Sequence, residues 1–284
     1  MLHAVTLARA TDVNESIRIL RLDFNAAEIG ANFLPGQWLN LHLDGLEVLR
    51  GYGIISVPGA ALAAQDLAPG SKPHVEVIIQ NAPQIQQPRA EVSLLVGTQL
   101  NISFGGSFVW PPNNVHTTPI TRVVFLAGGV GVSPLVSILS HIFGTNTVPQ
   151  EVHFLYASRV KGYYNISHVL GLERLISISK AHEGKFHLYL FFGGYASRGL
   201  MEAAVPRQSF EPRVMMGADV LDIFRNFKFK HTTVCYVAGP PNMTSHFVKL
   251  LQQKVGMDAS RVLYEEYEGE VSQGFTCQNS HLFI

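Results

Sequence analysis

Cysteine is nearly absent from this 284-residue sequence, in which only Cys235 and Cys277 occur. Because a cysteinyl iron–sulfur cluster takes four thiolates, this chain alone cannot hold one. The same count excludes a disulfide framework and a cysteine-rich structural zinc site. The 12 histidines are scattered without an HExxH motif, so we predict structural or surface roles for them and no metal site.

Charge is scarce as well, since Asp, Glu, Lys and Arg make up 15% of the residues and the formal net charge is zero. This balance gives no electrostatic reason to expect a nucleic acid or an anionic membrane as a partner. No apolar run approaches the ~20 residues that span a bilayer, and the first residues resemble neither a secretory signal nor a mitochondrial presequence. We therefore expect a soluble intracellular protein, cytoplasmic by default and mitochondrial if a presequence is missing.

Hydrophobic residues, by contrast, make up 47% of the chain, which is enough for a sizeable core and, at this length, for two domains. The first part has six or so short strand patterns, turn signals between them and almost no helical stripe. These patterns occupy residues 4–8, 16–24, 37–43, 48–56, 75–79, 92–96 and 100–104. They predict a six-stranded antiparallel β-barrel within a domain of residues 1–113.

The pattern changes at residues 110–114, where two prolines and two asparagines interrupt any regular element. Strand and helix patterns alternate beyond that point. The strands are at residues 123–127, 152–157, 186–192, 234–238 and 262–264, and helices follow at 135–143, 166–180, 218–227 and 243–254. This order predicts a parallel α/β, Rossmann-like domain over residues 118–268. Residues 269–284 have no pattern, and we predict an unstructured tail there.

A glycine-rich turn joins the first strand and helix of the α/β domain, and residues 123–134 read VVFLAGGVGVSP. Glycine allows positive φ and lets a ligand approach where no Cβ stands. Ser133 suits the N-cap and Pro134 the first helical position. Free backbone N–H groups and the positive end of a helix then meet at one point, which is typical of a phosphate-binding site. A tight turn with glycines for packing alone is the alternative, since GGxGxxP is not the usual GxGxxG fingerprint.

A β-barrel followed by an α/β domain that opens on GGxGxxP resembles the ferredoxin–NADP reductase and cytochrome b5 reductase superfamily. Three further motifs occur in the family's order. Residues 50–53, RGYG, resemble its flavin motif Arg-x-Tyr-Ser/Thr, residues 105–108 resemble the glycine-rich end of its barrel, and Gly239-Pro240 resembles its Cys-Gly-Pro motif. The resemblance covers residues 3–267. Within the superfamily, the Ala127–Gly131 run is most similar to the group of proteins named for their oxidoreductase NAD-binding domain.

The resemblance implies an oxidoreductase that passes a hydride from NAD(P)H to bound FAD. The electrons then go to an acceptor, which is a separate protein, a haem, a quinone or a small molecule. A nicotinamide-nucleotide-binding module with little or no turnover is the alternative function.

In the family the arginine of the flavin motif binds the FAD pyrophosphate and the tyrosine packs on the flavin, which implies those roles for Arg50 and Tyr52. Positions i and i+2 of a regular strand share one face. A guanidinium suits a diphosphate and a phenol suits stacking on a flat ring. An edge-strand arginine beside a barrel-packing tyrosine is the alternative. Gly53 stands where the family has a hydroxyl that bonds flavin N5, and residues 86–93 lack the family's Gly-x-x-Ser diphosphate segment.

At the nicotinamide position the family has a cysteine, where this chain has Ala238. Cys235 lies three residues earlier, an odd separation on a strand, so we predict that it points to the opposite face as a buried core thiol. Ser158 and Arg159 follow a strand at the place where the adenosine ribose would lie. Arg159 either holds a 2′-phosphate, which favours NADP, or is a surface residue.

The candidate catalytic positions are therefore Tyr52, Gly53 and Ala238. The candidate cofactor-binding positions are Arg50, Gly51, Tyr52, Gly53, Gly105, Gly106, Ser107, Gly128, Gly129, Val130, Gly131, Val132, Ser133, Pro134, Ser158, Arg159, Gly239, Pro240 and Met243.

Overall fold

The computed structural model describes residues 1–25, 31–43, 49–80, 95–113, 115, 119–145, 149–159, 166–193, 210–227 and 230–267. The chain divides into two compact units. The first consists of Met1–Pro111 with Val136–Asn146, and the second of Pro112–Leu135 with Thr147–Ile284. Six strands build a sheet from the first part of the chain, and six more build a second sheet.

All strand pairs of the first sheet are antiparallel. Its strands are β1 (His3–Asp12), β2 (Ile17–Phe24), β3 (Trp38–His42), β4 (Leu49–Gly53), β5 (His74–Gln80) and β6 (Gln99–Gly105). They follow the order β4-β3-β6-β1-β2-β5. The edge strands meet through one bridge between Ile54 and Val77, so the sheet curls toward a barrel and no continuous ladder closes it. The predicted antiparallel architecture is confirmed, while residues 92–94 of one predicted strand lie outside the described part.

Period-two alternation decides which side chains of this sheet face inward. Leu7 and Leu22 lie opposite each other in the β1–β2 pair, and both are fully buried. The other strands contribute buried residues in the same alternating manner, namely Leu39, Leu41, Val75, Val77, Leu100 and Ile102. A one-residue shift of register would expose this whole set, so the core fixes the pairing of the strands.

The second sheet is parallel throughout, as the alternation of strand and helix patterns predicts. Its elements are β7 (Arg122–Gly128), α1 (Val132–Gly144), β8 (Glu151–Arg159), α2 (Leu172–Ala181), β9 (Phe186–Gly193), β10 (Phe210–Glu211), α3 (Gly217–Arg225), β11 (Thr233–Gly239), α4 (Pro241–Leu250) and β12 (Val262–Glu266). The strand order is β10-β9-β8-β7-β11-β12. The chain therefore reverses direction across the sheet between β7 and β11, and ligands of open α/β sheets bind at the carboxyl ends of the strands at such a switch point.

The two central strands are apolar runs rather than alternating patterns because both of their faces are covered. Residues 123–127 of β7 and 233–238 of β11 have no exposed surface. One face packs on α3 and α4 through Phe224 and Phe247, which join a core cluster with Val124 and Val237. Within the described residues, no helix is both long and apolar enough to cross a membrane.

Candidate nucleotide and flavin sites

The turn after β7 begins at the carboxyl end of the sheet and leads directly into α1. Residues Gly129–Gly131 form one 3₁₀ turn, and α1 starts at Val132. Ser133 is therefore inside the helix, where its hydroxyl donates to the Val130 carbonyl at 2.9 Å. The prediction that Ser133 is the N-cap was wrong, because the 3₁₀ turn moves the helix start toward the strand. In a 3₁₀ turn the N–H of residue i+3 bonds the carbonyl of residue i, so the first intrahelical bond runs from Gly131 to the N-cap Gly128, and the N–H groups of Gly129 and Val130 make no bond within the helical run.

Three of the four glycines at this edge have a packing reason. A Cβ on Gly131 would lie 2.5 Å from the carbonyl carbon of Ala238, and one on Gly128 would meet the Met243 side chain, with its Cε at 3.0 Å. A Cβ on Gly239 would lie 3.1 Å from the Cα of Gly128. Because these three glycines have no Cβ, the ends of β7 and β11 and the start of α4 can pack in direct contact. These contacts match the alternative in which the glycines serve packing.

Gly129 is different, because its φ is +53° and a Cβ there would meet nothing within 4 Å. Its N–H group makes no bond within the helical run, and the space where its Cβ would lie is open. A ligand atom at the place of this Cβ would therefore meet no atom of the described residues within 4 Å. Gly129 is thus the one glycine of the turn whose surroundings fit a ligand rather than packing.

The opposite wall of the switch point is the end of β11. Ala238 is fully buried, and Pro240 precedes α4, where the Thr244 hydroxyl donates to the Gly239 carbonyl at 3.1 Å. Met243 is 2% exposed and lies against Gly128. Ala238 and Met243 therefore pack against the turn on its buried side. Their contact with a cofactor stays a prediction.

Cys235 confirms the prediction of a buried core thiol. It has no exposed surface, and its Sγ–H donates to the Met257 Sδ at 3.3 Å. Burial raises the pKa of the Cys235 thiol well above its ordinary value, so the group stays protonated and unreactive.

The last two residues of β8 lie at the same sheet edge as the turn. Gly128 pairs with Ala157, so Ser158 and Arg159 extend one and two residues beyond it. Ser158 is half-buried and Arg159 is exposed. This position is compatible with both alternatives for Arg159, a 2′-phosphate ligand or a surface residue.

A hydrogen bond between two half-buried side chains at the end of β12 was missed by the sequence reasoning. The N–H group of Tyr267 donates to the Gly239 carbonyl at 2.9 Å, and its phenol donates to Glu265 Oε2 at 2.8 Å. Burial raises the pKa of the Glu265 carboxyl, although the hydrogen bond from Tyr267 acts in the opposite direction. The signal was weak, because only the register of β12 on β11 shows that Glu265 lies beside Ala238.

The flavin-motif segment in the first unit contains a β-bulge. Leu39 pairs with Tyr52 and Leu41 with Leu49, so two residues of β4 oppose the single residue Asn40. Gly51 has φ +79°, and its N–H donates to Asn40 Oδ1 at 3.2 Å. The bulge interrupts the regular alternation from which a shared face for positions 50 and 52 was predicted. The side chain of Arg50 lies outside the described part of the chain.

Tyr52 packs against the core of the first sheet beside its partner Leu39. Burial raises the pKa of its phenol above the ordinary value. This arrangement agrees with the alternative of a barrel-packing tyrosine. Only the part of the ring that remains exposed is available to a flavin.

The glycine-rich end of the barrel is filled by an aromatic side chain that the sequence reasoning also missed. Trp38 pairs with Gly53 on one side and with Gly105 on the other. A Cβ on Gly105 would lie 2.5 Å from Trp38 Cζ3, and one on Gly106 would lie 2.8 Å from Trp38 Nε1. The indole thus covers both glycines, while Ser107 is exposed. The signal was the aromatic residue directly after Pro35-Gly36-Gln37.

Known proteins agree with this architecture. Residues 125–249 match the family described as the oxidoreductase NAD-binding domain. Oxidoreductase NAD-binding domain-containing protein 1 of Danio rerio is 24% identical over 268 residues, which cover 92% of this chain and 91% of the relative.

Two solved structures share the fold. The cytochrome b5 reductase domain of Ulva prolifera nitrate reductase has a TM-score of 0.68 at 15% identity and covers 93% of this chain and 97% of that one. The flavohem-like FAD/NAD binding domain of nitric oxide dioxygenase from Vibrio cholerae has a TM-score of 0.66 at 16% identity, with 93% and 98% covered.

The predicted resemblance is thereby confirmed. Residues 125–249 match the oxidoreductase NAD-binding domain, and along nearly its whole length the chain has the fold of these reductase structures.

Proposed function

We propose that this protein is an NAD(P)H-dependent flavin oxidoreductase that passes a hydride from the nicotinamide to bound FAD and the electrons to a separate acceptor. The observation that carries the proposal is Gly129, a positive-φ glycine beside open space at the switch point of an NAD-binding domain. The acceptor is a protein, a haem, a quinone or a small molecule, since two cysteines are too few for a cluster in this chain.

The nucleotide fits the residues at the switch point. The backbone at Gly129 and Val130 and the positive end of α1 would hold the diphosphate. Gly239 and Pro240 would bound the crevice on the β11 side, and Ser158 with Arg159 would face the ribose. No side chain is required as a strong acid or base, because the nicotinamide and flavin rings supply the redox chemistry when bound and the protein orients them.

For FAD, the residues of the first unit offer an aromatic surface rather than a glycine cradle. Trp38 lies between its cross-strand partners Gly53 and Gly105, neither of which has a side chain that stands above the indole. A flat ring could stack there, a contact worth ~1 kcal/mol beyond area burial. Arg50 is proposed for the pyrophosphate, and the segment at residues 86–93 lies outside the described part of the chain.

A nucleotide-binding module with little turnover is the second candidate. Three observations favour it. Gly53 offers no hydroxyl to the flavin, Ala238 is a fully buried methyl group where the family has a thiol, and Tyr52 packs on the core.

The test is the colour of the purified protein and its response to NADH without oxygen. Flavin absorbance that bleaches on NADH addition supports the oxidoreductase. A colourless protein that still binds NADH supports the module instead, and a protein that binds neither ligand overturns both proposals.

Two variants separate the sites. Tyr52→Ala should release flavin, and Gly129→Val should block nucleotide binding while flavin is retained. Gly184→Val is the matched control for the second, because Gly184 has φ +82° and open space but lies in the turn before β9. Equal loss of both ligands in either variant would contradict the assignment of two separate sites.

A further inference from the structure

Glu151, His153 and His187 form a cluster at the amino-terminal end of the parallel sheet. Glu151 is the first residue of β8, and His153 of β8 pairs directly with His187 of β9. One ligand atom from each residue lies within 4.8 Å of the other two. The sequence predicted no metal site, because the two histidines are far apart along the chain and only the strand register joins them.

The donor atoms converge from three side chains. Glu151 Oε1 lies 2.8 Å from His153 Nε2 and 3.8 Å from His187 Nε2. The two imidazoles are stacked, with their centroids 4.8 Å apart and an angle of 21° between the planes. Two imidazole nitrogens and one carboxylate oxygen are a ligand set that Zn²⁺ and other first-row divalent ions take in proteins.

Neighbouring groups hold these donors in place. Arg122 Nε donates to Glu151 Oε2 at 2.6 Å, which leaves Oε1 turned toward the histidines. Arg122 itself is held over the Phe227 ring, 3.9 Å from its centroid. His153 Nδ1 lies 3.4 Å from the Tyr189 hydroxyl. Metal-binding histidines and carboxylates are commonly oriented by such outer hydrogen bonds.

The cluster opens into a cavity of about 460 Å³ between the sheet and α3. The rim carries the acidic side chains Glu211, Asp219 and Asp222 and the basic side chain Arg213. With Glu151 there are four carboxylates, against three arginines once Arg122 and Arg225, which pairs with Asp222 at 2.9 Å, are counted. The remaining acidic excess suits a cation. The open side leaves room for water as a further ligand.

We infer that Glu151, His153 and His187 bind one divalent transition-metal ion, with Zn²⁺ the best match to two nitrogens and one oxygen. The site lies near the first residues of β8 and β9, beside the first residue of β7, whereas the glycine turn follows the last residue of β7. Seven residues of strand separate the two ends, about 20 Å at the usual rise. The ion therefore takes no part in hydride transfer. It links β8 to β9 and stabilises the folded domain by mass action.

The experiment uses the whole chain, produced without a histidine tag and treated with a chelator. Calorimetric titration with Zn²⁺ should give one ion per chain and a higher thermal unfolding midpoint. Co²⁺ should give a spectrum of nitrogen and oxygen ligation. A thiolate-to-cobalt band would overturn the proposal, because it would place the ion on Cys235 or Cys277.

Four variants decide the assignment. Glu151→Gln keeps an acceptor for Arg122, and His187→Gln changes a side chain that is 37% exposed, so both should fold. Each should weaken Zn²⁺ binding at least about tenfold. His74→Gln in the first unit and Cys277→Ser are the controls and should bind as the parent does. Circular dichroism checks that each variant is folded. If His187→Gln is unfolded, the Zn²⁺ affinity of Glu151→Gln alone tests the assignment. Parent-like affinity in Glu151→Gln, or no stoichiometric binding by the parent, would overturn the inference.

Discussion

The two sheet-forming regions use glycine for different purposes. At the edge of the parallel sheet, Gly131 and its neighbours bring strand ends within backbone contact, and Gly129 is left beside open space. At the end of the antiparallel sheet, Gly105 and Gly106 make room for the chain's own Trp38. A glycine-rich stretch is therefore not in itself a ligand contact. What lies where the Cβ would be decides whether the glycine serves packing or binding.

Among the variants that test this comparison, Gly131→Ala should lower the free energy of unfolding the most. Its Cβ would lie 2.5 Å from the Ala238 carbonyl carbon and 2.6 Å from the Gly239 nitrogen, both of them backbone atoms of β11. Because strand backbone cannot move alone, we expect a loss of about 3 kcal/mol in the free energy of unfolding, measured by urea denaturation. Gly129→Ala, with open space, is the control and should cost about half as much. Equal costs would remove the distinction between the two glycines.

Gly105→Ala should have the next largest effect, because the new methyl group would overlap the Trp38 ring. We expect about 2 kcal/mol of destabilisation from overpacking. Trp38→Leu should relieve the overlap, so the double variant should be less destabilised than the sum of the single variants, with a coupling of about 1 kcal/mol.

Gly97→Ala is the control for this cycle, since Gly97 has φ +98° and open space. Its cost should add to that of Trp38→Leu without coupling. Additivity for Gly105→Ala as well would contradict the view that these glycines exist to accommodate the indole.

Patterns that depend on one element were predictable from the sequence. Period-two alternation identified the strands of the first sheet, and continuous apolar runs identified the buried strands of the second. The odd spacing between Cys235 and Ala238 identified the core thiol. Each of these predictions needs only the geometry of a single strand.

Features that depend on pairing between elements were not predictable. The bulge at Gly51 arises from the register of β4 on β3, and the contact of Trp38 with Gly105 from the register of β3 on β6. The cluster of His153 and His187 likewise requires the register of β8 on β9. The sequence supplies residues that can form such contacts. Which of them meet depends on the strand register, and the packing of the whole sheet core selects that register.

Gly51→Ala and Gly129→Ala compare one open, positive-φ glycine from each region. The φ values are +79° and +53°, and a Cβ would meet nothing within 4 Å at either position. Backbone strain alone should therefore cost about 1.5 kcal/mol in both variants, as measured by urea denaturation.

The two variants should differ in ligand binding. Gly129→Ala should weaken NADH binding, measured by calorimetry, because its methyl group occupies the proposed diphosphate space, whereas Gly51→Ala should bind NADH as the parent does. An unchanged affinity in Gly129→Ala would show that its open space is not the nucleotide site.

Asp219→Asn should lower the free energy of unfolding the least. Asp12→Asn, in the antiparallel sheet, is its control. Asp219 accepts from Arg213 at 2.6 and 2.8 Å and from the Met216 N–H at 2.7 Å, at the start of α3. Burial acts to raise the pKa of its carboxyl, but these hydrogen bonds outweigh burial and the pKa lies below its ordinary value. The hydrogen bond from Arg18 lowers the pKa of Asp12 in the same direction, although both of those side chains are largely exposed.

Because the folded-state pKa of Asp219 is lowered, its contribution is complete above the unfolded value of 3.8 and is lost as the pH falls through the folded value. Asp219→Asn should cost about 1 kcal/mol at pH 7, since a helix-capping acceptor and an ion pair are both weakened. The difference from the parent should shrink below about pH 4, as urea denaturation at pH 7 and pH 3 would show. Asp12→Asn should change stability at neither pH, because an exposed ion pair is screened by solvent. A gap between parent and Asp219→Asn that widened on acidification would contradict the assigned direction of the pKa.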